Sequence, residues 1–189
     1  KWIDDLADTQ DFDNQTLDTD SSFPECAPFY GHGHLEADPG WGIAAWNVPI
    51  NFASFYDDEP LERKWYPRAR AYMEHWVKIA RNNGGYFNVM KEGDWGNMYP
   101  GPAGFKFASY PQFFYVAALE KQAALATRLG LSSDAARYVS LAADARKVYL
   151  DKFYNSSTAC YGNCTDIEQI FGLTLGLQED GGAEEKAAW

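Results

Sequence analysis

Positive charge is scarce in these 189 residues: 16 Lys and Arg stand against 27 Asp and Glu, a formal net charge of −11. A field of that sign repels phosphate backbones and anionic lipid headgroups, which argues against nucleic acid and membrane surfaces as partners and leaves neutral ligands unopposed. Long apolar runs are lacking as well. No stretch reaches the roughly 18 apolar residues of a membrane helix, and no basic start followed by a short apolar segment marks a signal peptide. Metal-ligating side chains are few, with 3 His and 3 Cys. Cys160 and Cys164 have no further Cys or His close in sequence to complete four zinc ligands. His32 and His34, in Tyr30-Gly31-His32-Gly33-His34, lack an evident third ligand, and His75 beside Trp76 reads as structural. No metal and no organic cofactor is expected.

Apolar residues are plentiful instead, at 46% with 16% aromatic, enough for one substantial core. Their spacing is helical throughout, and convincing strands are absent. Residues 42–56 are apolar nearly all round, which predicts a helix buried on most sides and kinked at Pro49. An amphipathic helix is expected over 62–81, stopped by Asn82-Asn83-Gly84-Gly85. An Ala-rich helix over 110–129 closes at Gly130, and Ser132 or Ser133 can cap another over 134–153. The aromatic run from Tyr110 to Tyr115 reads as core. A last pair of helices begins near Asp166 and Ala183. Buried and half-polar helices thus alternate, which predicts an all-α fold of helical hairpins forming part of an (α/α)6 toroid or barrel. Residues 1–7 already read as helix and residues 183–189 have helix-forming composition that simply stops. Residues 1–189 are therefore expected to be a single segment of a longer polypeptide, incomplete at both ends.

Two motifs stand out against this background. Asp38-Pro39-Gly40-Trp41-Gly42 and Gly93-Asp94-Trp95-Gly96 each put an indole beside a carboxylate on a glycine-loosened turn next to a helix. An indole face can stack on the C–H face of a pyranose while a carboxylate accepts from neighbouring hydroxyls, so Trp41, Trp95, Asp94 and Asp38 are candidate carbohydrate ligands. Asp38 and Asp94 also suit capping or turn roles. Both motifs would lie on loops at the rim of a central cavity, where functional groups concentrate. The long polar stretch 8–36 reads as an extended loop that could cross the rim, and Tyr99-Pro100-Gly101-Pro102 could wall it. Glu36 and Glu92 lie within reach of the rim but read as solvated loop charges.

Three N-glycosylation triplets begin at Asn14, Asn155 and Asn163. Together with Cys160 and Cys164, closely spaced in a Ser/Thr/Gly/Asn-rich loop and expected to form a disulfide, they predict a secreted, extracellular glycoprotein. Cys26 is then left over, either a small buried hydrophobe or a partner for a cysteine elsewhere.

Taken in order, Asp38-Pro39-Gly40-Trp41-Gly42 with Ala44, then Tyr66-Pro67, Gly93-Asp94-Trp95, the Ala-Ala-Leu-Glu-Lys-Gln helix into Leu129-Gly130, and Asp134-Ala135-Ala136-Arg137-Tyr138 resemble the catalytic (α/α)6 barrel of glycoside hydrolase family 78, the α-L-rhamnosidases. The opening Asp4-Asp5-Leu6-Ala7-Asp8-Thr9-Gln10 looks like the helix end before the family's loop. The resemblance spans nearly the whole chain. It implies an inverting hydrolase that removes terminal α-L-rhamnose, with one glutamate as acid and another as base for water, the pair standing about 6.5 to 9.5 Å apart. Neither catalytic motif is present in this sequence, so the catalytic pair is left unassigned. What carries over is the sugar-binding part: Trp41 and Trp95 as aromatic walls, with Asp38 and Asp94 beside them. The implied partners are a rhamnoside and the remainder of the same polypeptide or barrel. Other readings remain open at this point: another α/α-toroid glycosidase or polysaccharide lyase, or a non-catalytic carbohydrate-binding subunit.

Overall fold

The computed structural model describes Phe23, residues 38–90 and residues 107–177, apart from the side chains of Ala53 and Ser54. Asp94, Trp95, Asn14, Cys26, His32, His34, Glu36, Glu92, the loop 99–102 and both terminal helices lie outside the described residues. Six helices and one small hairpin make up the described part: α1 (Pro39–Gly42), α2 (Ala44–Tyr56), α3 (Glu59–Asn82), α4 (Ser109–Arg128), α5 (Ser132–Phe153), the strands β1 (Tyr154–Asn155) and β2 (Cys160–Tyr161), and α6 (Asp166–Thr174). The fold is all-α, built from helical hairpins: α2 packs on α3, α4 packs on α5, and α4 also touches α1, α2, α3 and α6. α4 is therefore the central element, and its near-continuous apolar surface follows from having neighbours on most sides.

The helix ends obey local chemistry. Asp58 caps α3, its carboxylate accepting from Leu61 N at 3.1 Å. At the far end Gly84 takes φ +66°, and its N–H and that of Gly85 return to the carbonyls of Arg81 and Ala80. α4 stops in the same way at Gly130, φ +73°, with Leu131 N bonded to Ala126 O at 2.8 Å. Only glycine reaches that backbone region without a Cβ penalty, so each expected stop signal acts as a left-handed helix terminus.

Indole and phenol rings fill the interior. Trp46 and Tyr72 stack with centroids 5.1 Å apart, and Trp76 lies within 5.1 Å of both. Two of the buried indoles bond through their N–H: Trp46 Nε1 donates to Gln122 Oε1 and Trp65 Nε1 to Ala45 O, both at 2.7 Å. Gln112 uses both ends of its amide, accepting from Phe87 N at 2.7 Å and donating to Ala145 O at 2.8 Å. One buried side chain of α4 thus joins the segment after α3 to α5.

Three expectations change. α2 is not buried along its whole length, because Phe55 and Tyr56 are 86% and 71% exposed at its C-terminal end. Pro49 lies within α2, so the helix runs on through it as expected. Ser132 and Ser133 do not cap α5; they belong to its first turn, and Leu131 precedes it without a side-chain cap. Strands do occur, as an antiparallel pair with Tyr154 opposite Tyr161 and Asn155 opposite Cys160. Cys160 and Cys164 form the expected disulfide across a Cα separation of 5.3 Å. The adjoining loop is tied down by the buried carboxylate of Glu168. It accepts from Ser109 Oγ at 2.9 Å, Asn163 N at 2.8 Å and Thr165 Oγ1 at 3.0 Å.

Candidate functional site

The Asp38–Gly42 turn is built from its first residue. Asp38 caps α1, its Oδ1 accepting from Gly40 N at 3.1 Å, and Pro39 supplies the fixed φ favoured in a first helical turn. The carboxylate is wholly buried, and the same Oδ1 accepts from the Tyr110 hydroxyl at 3.0 Å. Gly40 is required by that contact: a Cβ there would lie 1.8 Å from the phenol oxygen. The next residue reverses the exposure. Trp41 is 45% exposed, an uncommon state for an indole in a chain whose Trp46, Trp65 and Trp76 are all buried. Ile43 and Ala45 then turn back into the core.

Of the four sequence-derived sugar ligands, two are therefore located. Trp41 is half exposed, whereas Asp38, whose carbonyl accepts from Trp41 N at 3.2 Å, is wholly buried. Trp95 and Asp94 lie outside the described residues. Tyr110 is the residue the sequence reading passed over as core. Periodicity carries no signal for it, because its hydroxyl meets a partner 72 positions away.

At the other end of the described chain, Asn155 and Asn163 are exposed beside the disulfide. The Oδ1 of Asn155 accepts from Ser157 N at 2.9 Å, an Asx turn within its own glycosylation triplet. No group of three or more His, Cys, Asp or Glu that could hold a metal occurs among the described residues. No helix among them is long and apolar enough to cross a membrane.

An all-α assembly of hairpins is the kind of architecture from which helical toroids are built. The family comparison is specific: residues 1–189 match the bacterial alpha-L-rhamnosidase 6 hairpin glycosidase domain, and the chain belongs to that family of glycoside hydrolase domains. A comparison with curated proteins finds no match. Among solved structures, an alpha-L-rhamnosidase from Dictyoglumus thermophilum superposes with TM-score 0.81 at 21% identity, over 97% of this chain and 20% of that one. The Streptomyces avermitilis alpha-L-rhamnosidase complexed with L-rhamnose gives 0.77 at 25% identity, over 99% and 16%. A native rhamnosidase from Aspergillus terreus gives 0.78 at 21% identity, over 99% and 21%. The chain thus spans about a fifth of these relatives' length.

Proposed function

We propose that this chain supplies part of the sugar-binding rim of an inverting α-L-rhamnosidase, with Trp41 as one aromatic wall and Trp95 as the other. The exposed indole of Trp41 carries the reading. Leaving a large apolar ring half in water forgoes roughly half of the ~1.5–3 kcal/mol that full burial of a large apolar side chain provides, which a ligand that covers it recovers. A deoxyhexose has an apolar face to do so. The rhamnose complex of the Streptomyces relative, 25% identical to this chain, supports rhamnose as the sugar. Asp38 acts from behind, fixing the turn, while Asp94 beside Trp95 is the carboxylate that receives sugar hydroxyls. The two catalytic glutamates come from the remainder of the polypeptide, consistent with the fraction of the relatives' length that this chain spans.

Aryl glycosides test this directly. The full-length enzyme should release the aglycone from an α-L-rhamnoside and not from the corresponding glucoside or glucuronide. Trp41→Ala should lower kcat/KM at least about tenfold, equivalent to ~1.4 kcal/mol of transition-state binding. Cleavage of the glucoside instead, or unchanged kinetics in the variant, overturns the assignment.

The disulfide, with Asn155 exposed ahead of it and Asn163 exposed within the loop it closes, supports passage through an oxidising secretory route with glycans at Asn14, Asn155 and Asn163. Treating protein from its native host with an N-glycosidase should lower its apparent mass; no change would remove the glycoprotein reading.

A further inference from the structure

Tyr110 is 5% exposed, and its ring is held by Phe114 and Phe171 with centroids 4.7 and 6.3 Å away. Its hydroxyl nevertheless leaves the apolar core to reach the turn that carries the exposed indole. It donates to Asp38 Oδ1 at 3.0 Å, the same atom that receives Gly40 N at 3.1 Å. The fit is tight on the other side too, since a Cβ on Gly40 would stand 1.8 Å from the phenol oxygen and 2.6 Å from Cζ. One phenol therefore both bonds the first residue of the turn and fills the volume above its third. The next residue in the chain is Trp41.

We propose that Tyr110 is a positioning residue for the sugar-binding indole. It rests on the reading of Trp41 as a sugar wall. α4 packs against most of the described helices, so its phenol is fixed to the most constrained part of the fold. Through Asp38 it transmits that rigidity to a turn whose indole is otherwise half in solvent. Stacking on a sugar face is sensitive to the plane and height of the ring, so a loosened turn weakens ground-state and transition-state binding together.

The test is a double-mutant cycle in the full-length enzyme with an aryl α-L-rhamnoside. Tyr110→Phe removes only the hydroxyl and keeps the ring; it should raise KM about fivefold to tenfold with kcat within about twofold. Combined with Trp41→Ala it should lower kcat/KM no further than Trp41→Ala alone, because the phenol acts through the indole. Multiplicative losses would show that Tyr110 acts independently of Trp41 and overturn the proposal. Unchanged KM in Tyr110→Phe with an impaired Trp41→Ala would overturn it while leaving the sugar wall intact. An unimpaired Trp41→Ala would remove both. Should Tyr110→Phe fail to fold, Asp38→Asn and Asp38→Ala decide. The amide keeps an oxygen for both donors and should hold KM within about threefold, while the alanine should raise it as Tyr110→Phe would. Equal KM in the two variants overturns the role.

Discussion

The phenol of Tyr110 and the missing side chain of Gly40 occupy one volume, and that exchange governs what position 40 can tolerate. Gly40→Ala would place its methyl 1.8 Å from the hydroxyl, against a ring already in contact with Phe114. The expected loss of stability is about 1–3 kcal/mol, the usual range for overpacking, read as a lower urea midpoint with an unchanged slope. An unaltered midpoint would mean that the turn moves freely and does not hold Trp41. At this scale the sequence conveyed half the site. A Trp flanked by glycines after Asp-Pro marks a turn with an indole on it, from residue types alone. Asp38 remained readable as ligand or cap, since both roles use the same carboxylate. Only its distance from Tyr110 and its complete burial show where that oxygen points.

Among the elements, α4 owes its position to polar atoms as much as to apolar ones. Gln112 bridges Phe87 N and Ala145 O, so Gln112→Leu would leave a buried N–H and a buried carbonyl without this partner. A loss of about 1–3 kcal/mol is expected, chiefly because the buried Phe87 N–H stays desolvated without this acceptor, while Ala145 O keeps its bond within α5. Chemical denaturation of the variant checks it, and near-wild-type stability would show that the joint is redundant. The helices themselves were legible because their stripes are long and their stops use Gly84 and Gly130, where a positive φ is needed. The hairpin was not legible. Two residues per strand are too few for an alternating pattern, and its shape depends on the disulfide and on Glu168 beneath the loop. The exposed end of α2 also escaped the sequence, because Phe52 and Tyr56 cover one another, with centroids 4.6 Å apart, rather than entering the core.

For the whole molecule, a core this rich in phenols has a signature in alkali. Burial raises Tyr115, Tyr138 and Tyr149 above the ordinary value of 10.0, and for Tyr138 the hydrogen bond to the Glu74 carboxylate adds to it. These phenols keep their protons in the folded chain to higher pH than in the unfolded chain. The unfolded chain therefore ionises first, so the stability they contribute is complete below pH 10 and drains away as pH climbs beyond it. Tyrosinate absorbance from these residues should rise together with loss of helical circular dichroism. Ionisation of all tyrosines near pH 10 with the helices intact would contradict their burial.

Family membership and a shared fold place the chain among rhamnosidase helical domains, and its proposed function turns on the indole of Trp41, held at a turn that Tyr110 and Asp38 join to the core. A crystal structure of the full polypeptide with L-rhamnose bound tests it most directly. The apolar face of the sugar should lie against the Trp41 ring, within about 4 Å, with Trp95 lining the same hollow. Rhamnose bound elsewhere, with Trp41 covered by another part of the protein, would contradict it.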